Sequence, residues 1–212
     1  MTFASREDAG QRLGHHLREQ GVAADVVVGL PRGGVLVAAE VACVLQRPLE
    51  VLVVRKIGHP LHREFAVGAL AENGVVILDE GVSGSDDFLR KKLEEVIREE
   101  NERLRQYELE FHSGARVGLA DKNVLLVDDG LATGATTEAA VLSARKQGAR
   151  GVIVAAPVAS TNAVERLKRV ADAVIVLCVD AGFEAVGRYY RVFLQTSDEE
   201  VIARLKAAQT SG

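Results

Sequence analysis

The sequence predicts an α/β protein built around a doubly wound, mainly parallel β-sheet. Short β-branched apolar runs alternate with helix-like segments along most of the chain, which is typical of strands that crossover helices bury on both faces. The length of 212 residues and the hydrophobic content of 48% suit a single domain, residues 1–212, with a small appended subdomain. We expect strands at residues 25–29, 49–54, 124–127, 151–156 and 173–179, within a core of about 25–179.

Helices are expected between these runs, where the composition is helical or apolar residues recur at helical spacing. One of them, at 85–110, is long and charged with its apolar residues mostly on one face, which favours a structural or interface role. Residues 55–64 have a loop-like composition, and residues 65–78 suit a β-hairpin that turns at Asn73-Gly74. The predicted helices cover residues 6–20, 35–45, 85–110, 136–147 and 162–170, and a frayed end is expected at 206–212.

The composition argues against several classes of function. The formal net charge of -4 implies no broad basic surface, so nucleic acid is not an expected partner. No apolar run approaches the length of a transmembrane helix and the N-terminus lacks an apolar signal region, so we expect a cytoplasmic protein without a membrane partner. Cys43 and Cys178 lie in apolar runs and are expected to be small buried hydrophobes.

The most informative segment is VLLVDDGLATGATT, residues 124–137. Its apolar strand ends in two carboxylates, Asp128 and Asp129, and a loop of small residues then leads into a helix. Ligands of open parallel sheets bind beyond the carboxyl ends of strands, and a helix N-terminus offers N–H groups to a phosphate. Two carboxylates beside such a cradle suit a sugar diol, so the segment predicts a ribose 5-phosphate site. An acidic turn with a threonine N-cap is the simpler alternative, but it accounts only for Thr136.

This segment resembles the signature of type I phosphoribosyltransferases, and the order of strands and helices over residues 25–179 fits that family's core. The resemblance implies that Asp128 and Asp129 bind the ribose hydroxyls and act in catalysis. The sequence departs from the family pattern at Gly130, where an aliphatic residue or serine is more usual. The resemblance also implies that the 5-phosphate is cradled by Leu131, Ala132, Thr133, Gly134, Ala135 and Thr136.

The same resemblance implies the ligands, which are 5-phosphoribosyl-1-pyrophosphate (PRPP), Mg²⁺ as a cofactor without a direct protein ligand, and a small nitrogen-containing acceptor. It implies a flexible loop or insertion at about 57–115 and a hood at about 180–200, completed by other segments. In the hood, Phe183, Val186 and Tyr189 are the candidate contacts of the acceptor, which we expect to be a purine rather than a pyrimidine. Aromatic packing of a small subdomain is the alternative.

A second glycine turn, LPRGG at residues 30–34, resembles the family's pyrophosphate loop. The N–H groups of Arg32, Gly33 and Gly34 can converge on an anion, and the Arg32 side chain adds charge. A tight strand-to-helix turn is the alternative. Because this turn and the 5-phosphate loop follow different strands, we expect their roles to be separable. A Gly33→Val change is then expected to spare ribose 5-phosphate binding while pyrophosphate binding is lost.

Basic and polar residues follow the second predicted strand. Of Arg55 and Lys56, we choose Lys56 as the residue that neutralises pyrophosphate because the family has a basic residue here; a solvated strand end is the alternative. His59, His62 and Glu64 lie in the next stretch. A metal site is conceivable there, but two histidines and an acid occur together in loops by chance.

The reaction implied by the resemblance transfers a 5-phosphoribosyl group to a nitrogen acceptor, which we interpret as a nucleobase, and releases pyrophosphate. A non-catalytic PRPP-sensing regulator of the same fold is an alternative. A structural or assembly role, with residues 85–110 as the interface, is a third interpretation, and a homo-oligomer is compatible with all three. The sequence does not name the acceptor.

Overall fold

Two separate sheets and six α-helices make up the computed structural model, which describes residues 1–79, 87–112 and 116–210. Two short 3₁₀ turns, Glu72–Gly74 and Val186–Tyr189, connect some of these elements. In chain order the elements are α1 (Arg6–Glu19), β1 (Val26–Gly29), α2 (Gly33–Leu45), β2 (Leu49–Val51), β3 (Val54–Gly58), β4 (Ala66–Ala71), β5 (Val75–Leu78), α3 (Asp87–Phe111), β6 (Asn123–Val127), α4 (Ala135–Lys146), β7 (Gly151–Ser160), α5 (Thr161–Leu167), β8 (Ala173–Asp180) and α6 (Asp198–Thr210).

The larger sheet has five strands in the order β2-β1-β6-β7-β8, and every pairing in it is parallel. This confirms the predicted doubly wound α/β fold. β1 and β6 are neighbours although they are far apart in the sequence, and their register pairs Gly29 with Val127, the last residue of each strand. The turn after β1 and the acidic pair after β6 therefore leave the sheet side by side.

Helices cover both faces of this sheet, as parallel strands require. One face is buried by α1, α2, α3 and α6, and the opposite face by α4, α5 and part of the small sheet. The β6 side chains alternate between the two cores, with Leu125 and Val127 in the first and Val124 and Leu126 in the second. The fully buried strand leaves little freedom for the backbone, so the residues that follow it are held in fixed positions.

The smaller sheet is antiparallel, in the order β3-β4-β5. It contains the predicted hairpin, whose turn has the positive φ values expected at Asn73 (62°) and Gly74 (68°). Two expectations for this region are wrong. The predicted strand at 49–54 divides between β2 and β3, and residues 55–58 of the predicted loop at 55–64 belong to β3. An apolar run cannot show where the chain leaves one sheet for another, because both environments bury it.

The C-terminal region differs from the expectation of a frayed end. Residues 198–210 form α6, which packs against α2, α3 and β2. The long predicted helix is present as α3, while the start expected at 85 lies outside the described residues. The two cysteines are also less buried than predicted, since Cys43 is exposed in the last turn of α2 and Cys178 is half-buried on the edge strand β8.

A buried carboxylate joins the small sheet to the rest of the molecule. Glu72, between β4 and β5, has a side chain that is 3% exposed. Its Oε1 accepts hydrogen bonds from the backbone N–H of Val53 at 2.7 Å and from Nε2 of His112 at 2.7 Å, just beyond α3. Its backbone carbonyl accepts from the Ser143 hydroxyl on α4 at 2.9 Å. One residue thus links the segment before β3, the end of α3 and α4.

We expect Glu72→Ala to lower the free energy of unfolding by about 3 kcal/mol, because the change leaves buried donors without an acceptor. The matched control is Glu99→Ala, which removes a pair with Arg63 in which both side chains are 47% exposed. The control should cost less than about 1 kcal/mol. Guanidinium unfolding of both variants measures the difference, and equal values would contradict the role of Glu72.

Candidate functional site

The predicted acidic pair lies at the carboxyl end of β6, against the turn that follows β1. Asp128 and Asp129 are linked by a hydrogen bond from the Asp129 N–H to Oδ1 of Asp128 at 2.8 Å. The Asp129 side chain is 15% exposed. Burying two adjacent carboxylates is unfavourable unless partners or protons offset their charge. The two carboxylates therefore concentrate negative charge in a small, largely buried region.

The ionisation of the pair reflects this burial. Loss of solvent and the nearby charge of Asp129 raise the pKa of Asp128 to about 8. Burial also raises the pKa of Asp129, while the hydrogen bond and positive charge of Arg6 act in the opposite direction. Both shifts favour protonation, so near neutral pH the pair is less negative than two exposed carboxylates would be.

The predicted 5-phosphate loop follows the pair directly. Leu131 forms a parallel bridge with Ala159 at the end of β7, which extends the sheet beyond β6. The carbonyl of Ala132 accepts a hydrogen bond from the Ser160 hydroxyl at 2.6 Å. Gly134 adopts a φ of 76°, a conformation that suits glycine, and α4 begins with the next residue. These contacts with β7 fix the position of the loop at the carboxyl end of the sheet.

The N-terminus of α4 presents its backbone donors in this loop. The N-cap residue of α4 is Gly134, which has no side chain that could cap the helix. Ala132 and Thr133 are exposed, Ala135 is buried, and Thr136 is half-buried. The Oγ1 of Thr133 accepts a hydrogen bond from the N–H of Ala135 at 3.4 Å. A helix start of this kind, with small residues before it, can take an anion.

The second glycine turn packs directly on the acidic pair. A Cβ added to Gly33 would fall inside van der Waals contact with Oδ2 of Asp129, and one added to Gly34 would lie 2.8 Å from Oδ1 of Asp128. The two glycines are therefore required by close approach. The expectation that Gly33→Val would leave the predicted ribose site intact does not fit this geometry, because a side chain at Gly33 would displace the Asp129 carboxylate and the two predicted sites therefore share a wall.

The other two predicted pyrophosphate contacts lie close to this turn. Arg32 is the residue before α2, and its Nη1 is 3.9 Å from Oδ1 of Asp198. Lys56 is an exposed residue of β3, and its charge acts on Asp128. The neighbouring Arg55 is bound to Glu100 on α3 at 2.6 Å instead. The choice of Lys56 over Arg55 is thus consistent with the structure, and its role stays a prediction.

The predicted acceptor residues form a small aromatic cluster after β8. The rings of Phe183 and Tyr189 stack on each other with centroids 5.4 Å apart. The Tyr189 hydroxyl donates to Asp180 at 2.6 Å, which raises the pKa of Tyr189 to about 12. Val186 occupies the space above Gly130, where an added Cβ would meet it at 2.6 Å. The departure from the family pattern at Gly130 therefore lets this cluster approach the acidic pair.

Three residues that contact the acidic pair or its arginine were not predicted from the sequence. Arg6 at the start of α1 binds Oδ2 of Asp129 through Nε at 2.7 Å. The Tyr190 hydroxyl donates to the backbone carbonyl of Asp129 at 2.6 Å, and the Phe193 ring lies under the Arg6 guanidinium. Arg6 and Asp129 are 123 residues apart, and a single arginine in a helical segment gives no signal of such a contact.

The remaining polar stretch does not assemble a metal site. The Nδ1 of His62 is 3.8 Å from a carboxylate oxygen of Glu64, and the rings of His59 and His62 stack at 5.7 Å. Across residues 1–79, 87–112 and 116–210, no three His, Cys, Asp or Glu side chains are arranged to hold a metal ion. Over the same residues, no helix is long and apolar enough to cross a membrane.

We expect Gly33→Ala to weaken the binding of both ribose 5-phosphate and pyrophosphate, because the new methyl group displaces the Asp129 carboxylate. Gly182→Ala is the matched control, since its nearest neighbour would be 3.5 Å away, an ordinary contact. Calorimetric titration of the two ligands into each folded variant measures the effect. Normal ribose 5-phosphate binding by Gly33→Ala would refute the shared wall.

A second prediction concerns pH. The pKa of Asp128 rises from 3.8 to about 8 on folding, so the folded chain holds a proton that the unfolded chain releases between these values. The wild type therefore loses stability as pH rises through that range, and Asp128→Asn does not share this loss.

In guanidinium unfolding, Asp128→Asn should accordingly gain on the wild type as pH rises from about 5 to about 8. The control Asp172→Asn should keep a constant difference there, because hydrogen bonding from the Val152 N–H lowers the pKa of Asp172. A constant difference for Asp128→Asn would mean that Asp128 is ionised in the folded protein at both pH values.

Comparison with known proteins agrees with this geometry. A family model described as the phosphoribosyl transferase domain matches residues 5–191. Two Mycobacterium tuberculosis proteins, "Putative phosphoribosyl transferase Rv0571c" of strain H37Rv and "Putative phosphoribosyl transferase MT0597" of strain CDC 1551, are each 44% identical over 207 residues, which is 97% of this chain and 47% of theirs. The chain thus spans about half the length of these curated relatives.

A solved structure is similar over nearly its whole length. The protein TT1426 from Thermus thermophilus has a TM-score of 0.80 and 43% identity, covering 97% of this chain and 98% of that one. The match to the family model and the identity to these relatives extend far beyond the fourteen-residue motif. They show that this chain belongs to the phosphoribosyl transferase family, as its resemblance over the acidic pair and the two loops implied.

Proposed function

We propose that this chain transfers the 5-phosphoribosyl group of PRPP to the nitrogen of a nucleobase and releases pyrophosphate. The observation that carries the proposal is the contact between the two glycine-containing loops and one acidic pair. Gly33 and Gly34 lie against Asp129 and Asp128, and the loop that starts α4 follows the same pair. A sugar held by the carboxylates would have one phosphate site on either side.

The ribose is oriented by the pair. Asp129 accepts a hydrogen bond from a ribose hydroxyl, and Asp128, protonated near neutral pH, can donate one or accept one. The 5-phosphate lies on the N–H groups at the start of α4. Fixing both ends of the sugar lowers the entropy that the reaction must lose at the transition state.

The bond between C1 and the pyrophosphate oxygen breaks, and its electron pair leaves with pyrophosphate. A bond forms between C1 and the acceptor nitrogen, and the proton of that nitrogen passes to the departing pyrophosphate or to water. Donors at Arg32, Gly33 and Gly34 stabilise the charge that develops on the leaving group, and Lys56 adds a positive charge nearby. The remaining negative charge of the acidic pair stabilises the cation-like sugar.

Magnesium enters this proposal as part of the substrate. Mg²⁺ prefers oxygen ligands and in phosphate sites is bound largely by the phosphates themselves and by water. The N–H groups of Arg32, Gly33 and Gly34 and the charge of the exposed Lys56 would suit a metal–diphosphate complex. Bound to the diphosphate, the ion supplies positive charge that makes pyrophosphate a better leaving group.

The acceptor is proposed to bind at the hood after β8. Phe183, Val186 and Tyr189 provide flat apolar surface near Gly130, which suits a planar base. In the present arrangement the two aromatic rings stack on each other, so a base has to displace one ring or stack on an outer face. A purine offers the larger stacking area and is the expected class.

Pyrophosphate release in the presence of PRPP, Mg²⁺ and a panel of purines and pyrimidines tests the proposal. We expect release with at least one purine, and a rate at least about a hundredfold lower for Asp128→Asn/Asp129→Asn, since the sugar loses its charged contacts. Magnesium-dependent PRPP binding without release on any base would instead indicate a regulator that senses PRPP. Absence of both binding and release would refute the proposed ligand.

A further inference from the structure

Arg6 lies in the candidate site although it precedes Asp129 by 123 residues in the sequence. It is the first residue of α1, and its side chain is 10% exposed. The Nε group donates to Oδ2 of Asp129 at 2.7 Å. The same nitrogen would lie 2.7 Å from a Cβ on Gly33, so Arg6 stands between the acidic pair and the glycine turn. The positive charge of this buried arginine therefore acts directly on the Asp129 carboxylate.

Several contacts fix the guanidinium. Its Nη1 donates to the backbone carbonyl of Leu194 at 2.8 Å, and its central carbon lies 3.9 Å from the centre of the Phe193 ring. The Phe193 ring in turn packs on Tyr190, whose hydroxyl binds the Asp129 carbonyl. Cation–π contact and a directed hydrogen bond both favour one orientation of a guanidinium. Arg6 is thus anchored independently of Asp129.

The Arg6 contact leaves acceptor capacity on the carboxylate. A carboxylate has about four lone-pair positions, and Nε of Arg6 takes one of them. The ionisable groups that face Asp129 are Arg6 from α1, Asp128 from the end of β6 and Tyr190 from the hood, with Lys56 of β3 acting through Asp128. Among these, Arg6 is the cation in direct contact with Asp129. Its hydrogen bond and positive charge oppose the effect of burial, which raises the pKa of Asp129.

We infer that Arg6 is a positioning residue, which keeps the Asp129 carboxylate charged and in one orientation so that it accepts a ribose hydroxyl. This inference rests on the proposed function, because it concerns the same ribose site. The competing role for the same contact is an internal competitor, in which Arg6 blocks Asp129 until the ligand displaces it. The two roles predict opposite effects on affinity when Arg6 is removed.

The test is calorimetric titration of ribose 5-phosphate into the full chain between about pH 6 and about pH 9. Without its cation, Asp129 should hold a proton to higher pH, since an opposite charge typically lowers a carboxyl pKa by about 1–3 units. Arg6→Gln should therefore bind about tenfold more weakly than the wild type at the low end of this range. The deficit should shrink as pH rises.

Two variants give the matched comparison. Arg6→Lys keeps the charge and should restore most of the wild-type pH profile. Arg12→Gln, on the same helix, removes an arginine that is 48% exposed and pairs with Asp8, and it should bind like the wild type at every pH. If Arg6→Gln does not fold, Phe193→Leu removes the ring under the guanidinium and should produce a smaller deficit with the same pH trend.

The outcomes separate the inference from the proposed function. No binding of ribose 5-phosphate by the wild type at any pH would contradict the proposed function itself. Normal wild-type binding with unchanged affinity in Arg6→Gln, or with a deficit equal at both ends of the pH range, would overturn the positioning role alone. Tighter binding by Arg6→Gln would overturn it in favour of the internal competitor.

Discussion

The parallel pairing of β1 with β6 is the interaction on which the rest of the site depends. The register that matches Gly29 with Val127 makes both strands end at the same level of the sheet. The glycine turn and the acidic pair must then emerge in contact, with no room for a side chain at Gly33 or Gly34. β7 adds the third part, because its bridge at Ala159 holds the loop before α4 beside them. Three separate stretches of sequence become one surface.

Bringing two carboxylates together under this constraint has an electrostatic cost, and the fold meets it in two ways. Asp128 retains a proton near neutral pH, since burial and its neighbour raise its pKa to about 8. Asp129 instead receives a cation from α1. Asp128 and Asp129 are adjacent in sequence but have different surroundings, because Asp128 faces the Gly34 backbone and Asp129 faces Arg6. An asymmetric pair of this kind can both donate and accept hydrogen bonds.

The N-terminal segment also contacts the segment after β8. Phe3, just before α1, hydrogen bonds with the backbone of Tyr189 and Arg191, and its ring packs against Tyr190 at 5.6 Å. This contact carries Arg6 to the acidic pair and Phe193 to Arg6. The start of α1 and the segment after β8 therefore pack together beside the acidic pair. A change at Tyr190 or Phe193 is expected to alter the carboxylates, since the Tyr190 hydroxyl donates to the Asp129 carbonyl and the Phe193 ring packs on Arg6.

The sequence by itself determined the fold class and pointed to the segment from which the candidate site is predicted. Buried strands, alternating helices and the order of carboxylates, small-residue loop and helix are local patterns. Local patterns can be recognised in the amino-acid sequence without knowledge of the fold. It also placed the hairpin turn at Asn73, because a positive φ has a residue preference. It failed where an apolar run passed between two sheets at Leu52 and Val53, since burial looks the same in either.

Only the tertiary structure decided which distant residues meet. The pairing of β1 with β6 put the glycine turn in contact with the acidic pair, so Gly33 is not independent of the predicted ribose site. The contact of Arg6 with Asp129 spans 123 positions and depends on packing that no residue pattern encodes. Residue propensity and hydrophobic periodicity act over a few neighbouring residues. Charge compensation and close packing depend instead on which groups the folded chain brings together.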